Sequence, residues 1–430
     1  VKKSPGVFRI ELADANFAMF KQDLEICEHI NMLQDKYSWP LNINCSTGKN
    51  KPERVMEAVS KLYPNSLIIS NSMQSNNLET LKVIKRENIS LEKYAMIQTE
   101  MQKRGLRTQA DLILGLPLET KETHFSAIYD LIDSGVQEFV SYQAMILKDT
   151  DLASQSKRAS YGLKSKWRLI PRSIGRYGGA QDSLIIQECE EIIIATDTFS
   201  FESYMYARRL HLIDFIYHNS DLFNLIYAYL QERRITPSKF IEQIYLNSFQ
   251  GDFPLKDVID DFIEKTKGEL FDSEESCAAF YSKPENLKKV KNGELGGNLL
   301  FQHLAIALFE EWDSTIDAAL IAFQNLAPDC ENDLEDLAKI LSARVVNINQ
   351  TPLIKSILVE VHSQNIIELL NKIGHNFEQD SVGNLFLKME LSNALYDIVT
   401  NAKKVYPNNL VGWTLILARE RLHSVRREYT

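Results

Sequence analysis

The stretch LILGLPLETKETHFSAIYDLI, residues 112–132, decides the fold. An apolar run, QADLILG (109–115), ends in Gly115. After a short turn, KETHFSAIYDLIDSG (121–135) places Phe125, Ile128, Leu131 and Ile132 at the spacing of an amphipathic helix. Strand, tight turn and helix together make half of a parallel crossover. A chain that only had to turn could use polar residues here. A glycine and a proline at a buried strand tip instead mark the edge where α/β proteins hold ligands, beside the N-terminus of the following helix.

The same alternation runs through residues 1–150. Strands are expected at 8–14, 41–45, 66–70, 109–115 and 138–146. Helices are expected at 23–36, 51–63, 76–86, 90–105 and 121–135. Pro52 suits a first helical turn, Ser90 reads as an N-cap and Gly105 as the residue that ends its helix. Five strands with helical connections predict an α/β fold with a parallel sheet, either doubly wound or an incomplete (β/α) barrel. Both hold ligands at the C-terminal strand ends. Those ends carry Asp14, Asn16, Cys45, Ser46, Asn71, Ser72, Gln74, Gly115 and Tyr142, mostly small or polar. One edge strand is expected to stand exposed.

Composition narrows the function classes. With 430 residues the chain can hold two or three domains, and 25% charged with 44% hydrophobic residues is ordinary for a globular protein. A net charge of −10 argues against a general nucleic-acid binder. The basic tail RERLHSVRREY reads as a solvated helix end. No apolar run reaches the length of a membrane span, so no membrane partner is expected. Cys27, Cys45, Cys189, Cys277 and Cys330 are odd in number and widely spaced, without a CxxC or zinc pattern; they read as reduced cytoplasmic thiols. His211 and His218, seven apart, lack a carboxylate that would complete a metal site. The chain starts at Val1 directly in a strand-like pattern, so it is expected to be a piece of a longer protein. STGKNK (46–51) fails as a P-loop because Ile43 stands where the earlier glycine belongs and Asn50 where Ser or Thr is needed. No GxGxxG and no GxSxG is present.

Four segments in order resemble the radical S-adenosylmethionine (radical SAM) family: IELADANFAMFKQD, LIISNSMQSNNLETLKVIKRENISLEKY, ADLILGLPLETKETHF and FVSYQAMILKDTDLA. YGLKSKWRLIPRSIGRYGG and ECEEIIIATDTFSFESY are similar to the segment after the barrel in members that carry a cobalamin-binding domain. The resemblance implies a partial (β/α) barrel that binds SAM. Ser72 and Gln74 would face its ribose or amino-acid portion, and Arg86 would pair with its carboxylate. Asp111 would point into the barrel at SAM, and Gly115 would let the backbone approach the adenine. Asp14, Asn16 and Tyr142 would complete the strand-end site. Each has a plainer alternative: Arg86 a solvated helix-end charge, Gly115 turn chemistry, Asp14 and Asn16 caps. Asp111, mid-strand among apolar residues, would be an expensive isolated carboxylate unless it had a ligand to meet.

Two departures stand out. Leu118 replaces the glycine of the family's Gly-Leu-Pro-Gly-Glu-Thr. The CxxxCxxC triad that ligates the family's [4Fe–4S] cluster is absent, so the cluster, and cobalamin in members that use it, would have its ligands outside this chain. The implied function is the barrel portion of a radical SAM enzyme, cleaving SAM or transferring a methyl through cobalamin in the intact protein and inactive as this piece. A non-catalytic barrel serving as a binding or scaffold protein is the alternative, and a phosphate-handling barrel a third. The substrate, whether small molecule, peptide or saccharide, is not legible. Residues 151–204 read as a connecting segment and 205–430 as a mainly α-helical domain with almost no strand, whose aromatic residues at 199–230 are core.

Overall fold

The computed structural model describes residues 9–48, 51–63, 66–86, 88, 96, 98–101, 103, 108–179, 184–419 and 425–429. The chain divides into two units, Val1–Gln143 and Ala144–Thr430.

In the first unit, burial alternates strictly along β4 (Thr108–Leu114). Ala110, Leu112 and Leu114 are buried on one face, while Gln109, Asp111 and Ile113 are partly open on the other. That period of two is what a strand dictates. The other strands are β1 (Arg9–Glu11), β2 (Asn42–Asn44), β3 (Ile69–Gln74) and β5 (Glu138–Gln143), and every pairing among them is parallel. β1 pairs with β2, an Ile43–Leu67 bridge carries the order toward β3, and β3, β4 and β5 follow side by side. The α/β reading with parallel strands therefore holds, as two short parallel sheets joined by a bridge.

The helices are α1 (Lys21–Tyr37), α2 (Pro52–Ser60), α3 (Leu78–Val83) and α4 (Lys121–Asp133). Pro52 takes the first turn of α2, where a missing N–H costs little. Thr120 and Thr123 cap α4 reciprocally, each hydroxyl accepting from the other's main-chain N–H. The buried face of α4 is His124, Ala127, Ile128, Leu131 and Ile132. His124 takes the place expected for Phe125, which is only half-buried beside Tyr129. Full burial of each aliphatic side chain there contributes about 1.5–3 kcal/mol. Ser90 and Gly105, the expected limits of the helix at 90–105, lie outside the described residues.

The second unit opens with a long antiparallel hairpin, β6 (Lys164–Tyr177) and β7 (Leu184–Ala195), inside the expected connecting segment. A helical body runs from Phe201 to Arg344. Tyr204, Tyr217, Phe223 and Tyr229 are buried in it, so the aromatic residues there are core. The expectation of almost no strand beyond residue 205 is corrected. β8 (Ser356–Val361), β9 (Phe377–Gln379), β10 (Leu385–Glu390) and β11 (Glu428–Tyr429) form an antiparallel sheet. The cause is visible in LFLKME, where Leu387 and Met389 alternate inward at period two. The tail is also corrected. Arg427 is buried and donates to the carbonyls of Ala343, Val345 and Ile354 instead of facing solvent. Among the described residues no helix is long and apolar enough to cross a membrane.

Candidate functional site

The expected site residues gather unevenly at the C-terminal strand ends. Gly115 follows β4 with φ of 89°, in the left-handed region that glycine tolerates without a Cβ penalty. Ser72 on β3 and Val140 on β5 stand in register with Asp111, so the three occupy one row across the sheet. Asp111 is half-buried on the more open face, not sealed in the core as its neighbours suggested. Tyr142, in register with Ile113, is exposed toward the end of β5.

Gln74 carries the most unusual geometry. A bulge between Ser72 and Gln74 breaks the β3 ladder. Gln74 itself sits at φ 62°, a region that costs a non-glycine residue about 1–3 kcal/mol. Its Oε1 is buried and meets no hydrogen-bond donor among the described residues. The strained backbone and the buried amide oxygen without a donor make Gln74 a candidate ligand contact.

Arg86 is exposed just after α3. α3 spans only Leu78–Val83, and the chain then doubles back. The amide of Asn88 donates to the carbonyls of Met73 and Ser75, at 2.8 Å each. This clasp returns the segment holding Arg86 to the C-terminal end of β3, where Gln74 stands. Asp14 and Asn16 lie on the turn after β1, both exposed, and the main-chain N–H of Asn16 donates to Asp14 Oδ1 at 2.8 Å. That is the capping behaviour of their plainer reading.

Sequence reasoning missed the buried support behind this edge. Ser75 Oγ donates to Glu119 Oε1 at 2.7 Å, and His124 Nδ1 lies 3.4 Å from Glu119 Oε2. All three side chains are buried. Asn77 caps α3 through Glu79 and Thr80 and also donates to Leu118 O at 3.1 Å. The loops after β3 and β4 are thereby tied to each other. The available signal was the Glu-Thr pair at 119–120 directly before a helix.

The cysteines do not suit an iron–sulfur cluster. Cys27 is buried in the apolar core around Phe17, Ile30 and Ile43, with Cys45 packed against it. Burial pushes the Cys27 thiol up to about 11 and the Cys45 thiol up to about 12, away from the thiolate a cluster needs. Cys189 and Cys277 face each other in the second unit, and Cys330 is buried in the helical body. Among the described residues no group of His, Cys, Asp or Glu is placed to hold a metal ion. The organic portion of SAM fits better. Gln74 Oε1 is an unsatisfied acceptor, Asp111 shares the open face, and Gly115 bares its backbone at the same edge.

No family model matches the chain. It is 32% identical over 157 residues to the 2-(S-pantetheinyl)-carbapenam-3-carboxylate methyltransferase of Streptantibioticus cattleyicolor, covering 36% of this chain and 23% of the relative. It is 30% identical over 157 residues to the cobalamin-dependent radical SAM methyltransferase TokK of Streptomyces tokunonensis, with the same two shares. The chain thus spans about a quarter of the length of these curated relatives. Over the matched stretch it is related to cobalamin-dependent radical SAM methyltransferases, and through them to the radical SAM superfamily.

Proposed function

We propose that the first unit binds S-adenosylmethionine at the C-terminal ends of β3, β4 and β5, as the cofactor-binding part of a cobalamin-dependent radical SAM methyltransferase. The observation that carries this is Gln74, with a left-handed backbone and a buried Oε1 lacking a donor. The ribose hydroxyls or the ammonium of SAM would supply that donor. Asp111 would accept from the ammonium and Arg86 would grip the carboxylate. Gly115 would lie beneath the adenine, and Ser72 would reach the ribose or amino-acid portion. Asp14, Asn16 and Tyr142 would line the rim. Bound SAM supplies an activated sulfonium. The protein's part is to orient that group and keep it in a partly dry edge.

The second reading is binding without chemistry: the core thiols Cys27 and Cys45, with raised pKa values, make poor cluster ligands, so a cluster would need ligands from outside this chain.

The test is calorimetric titration of the chain with SAM. Saturable binding that Asp111→Asn and Gln74→Met each weaken roughly tenfold or more is expected, since a lost charge-assisted contact costs about 1.5–3 kcal/mol. Absent binding, or binding indifferent to both changes, refutes the proposal. Anaerobic reconstitution of this chain with iron and sulfide should give no stoichiometric cluster; cluster absorbance with 5′-deoxyadenosine formation would refute binding without chemistry.

A further inference from the structure

The second unit holds a basic groove that the SAM reading does not use. The β6–β7 hairpin loses register between Leu169 and Ile174, which face Cys189 and Gln187. The extra residues of β6 bulge outward, and Arg172 among them has φ of 66°. Bulges re-aim side chains, and a left-handed arginine persists only where its surroundings hold it. Here its main-chain N–H donates to Gly296 O at 2.8 Å.

Arg172 lines a groove of about 660 Å³ together with Arg176, Lys288, Lys291 and Arg419. Among the described residues no carboxylate lines it. Among the described residues none of these five cations forms an ion pair. Elsewhere in the unit several arginines are matched to carboxylates: Arg158 to Glu191, Arg168 to Glu190 and Glu269, Arg426 to Asp221. In a chain with 58 acidic and 48 basic residues, a carboxylate-free cluster of cations runs against the composition. Arg172 is exposed, yet partial desolvation and then the neighbouring Arg419 lower its guanidinium from its ordinary value. An anion between the two would relieve that repulsion. Ile174 and Leu295 give the groove an aliphatic wall.

We propose that this groove binds a small phosphorylated molecule with an apolar body. Its volume falls in the range of small-molecule sites, about 300–1,000 Å³. Several cations lining one groove suit the three oxygens of a phosphoryl dianion better than a single carboxylate. The aliphatic wall favours an organic phosphate over the bare ion. The proposal is independent of SAM binding in the first unit.

The experiment is calorimetric titration of the full chain with hexyl phosphate, with inorganic phosphate and with a short single-stranded oligonucleotide. Hexyl phosphate should bind saturably and more tightly than inorganic phosphate. The double change Arg172→Gln with Arg419→Gln should weaken it roughly tenfold or more, at an unchanged melting temperature. Should the strained Arg172 position not tolerate change, Arg419→Gln with Lys291→Gln, both outside the bulge, give the same reading. No saturable hexyl phosphate binding, or binding indifferent to these changes, overturns the proposal. So does an oligonucleotide that binds more tightly through the same residues, which would make the groove a nucleic-acid surface.

Discussion

The side-chain amide of Asn77 donates to the main-chain carbonyl of Leu118 at 3.1 Å, joining the loop after β3 to the loop after β4. Leu118 stands at φ 64°, in the left-handed region that favours glycine. A leucine there is strained by about 1–2 kcal/mol. The bond from Asn77 fixes the carbonyl of that strained residue. The loops that frame Gln74 and Gly115 are therefore joined by this asparagine as well as by the Ser75–Glu119 bond, and Asn77 also caps α3 through Glu79 and Thr80.

Asn77→Ala should destabilise the first unit by about 1–3 kcal/mol, combining a lost N-cap with a lost inter-loop bond. Asn77→Ser keeps the cap but cannot reach Leu118, so it should lose only the smaller part. Urea unfolding checks both. Equal losses for Ala and Ser would show that the tie to Leu118 contributes nothing.

The buried Ser75–Glu119 bond, 2.7 Å long, should be coupled. Removing either partner strands the other in the core, at about 1–3 kcal/mol per stranded group. A double-mutant cycle with Ser75→Ala and Glu119→Leu should return a coupling of about 0.5–3 kcal/mol. Strict additivity would mean the two do not interact in solution.

The core thiols should be inert. With Cys27 raised to about 11 and Cys45 to about 12, little thiolate exists at pH 8. Iodoacetamide should leave both unmodified in the native chain, by peptide mass mapping, and alkylate them in urea. Fast native labelling at Cys27 would contradict its burial.

Much of the first unit was legible because its signals are local. The apolar run of β4 and the Thr-x-x-Thr start of α4 place both elements within a residue or two. β3 was read as 66–70 but spans Ile69–Gln74, because Asn71, Ser72 and Gln74 look like loop, yet β4 supplies their ladder partners. Gln74 and Gly115 were legible as site candidates. Asn88, Ser75 and Glu119 were not, because their partners lie 13 to 44 residues away and leave no periodic trace. Arg427 was misread for the same reason: its acceptors are some 73 to 84 residues upstream.

Acid should weaken the second unit through Glu191. Its carboxylate accepts two bonds from Arg158, at 2.6 and 2.7 Å, and Arg158 holds it below the usual 4.5 against the opposing effect of burial. Since the folded value lies below the unfolded one, the contribution is whole above about pH 4.5 and is lost as pH falls through the folded value. Glu191→Gln should therefore lower stability at pH 7 and flatten the acid limb of a melting-temperature profile. A variant whose profile parallels the parent's below pH 4.5 would rule out this pair as a contributor.

Arg427 is the strongest single tie near the end of the chain. Its guanidinium donates to Ala343 O at 2.7 Å, Val345 O at 2.8 Å and Ile354 O at 2.8 and 3.1 Å. Ala343 lies in the last turn of the helix Leu334–Arg344, whose last carbonyls lack helical partners, so the cation also meets the negative end of the helix dipole. Truncation would leave several buried carbonyls without donors, each costing about 1–3 kcal/mol. Arg427→Ala should cost about 3 kcal/mol or more, a size reserved for broken buried networks. Arg427→Lys should recover only part, because an ammonium cannot span the three carbonyls that the planar fork reaches. Thermal unfolding of both variants tests this. Full recovery by lysine would mean that charge at the helix end, and not the fork geometry, is what the position supplies.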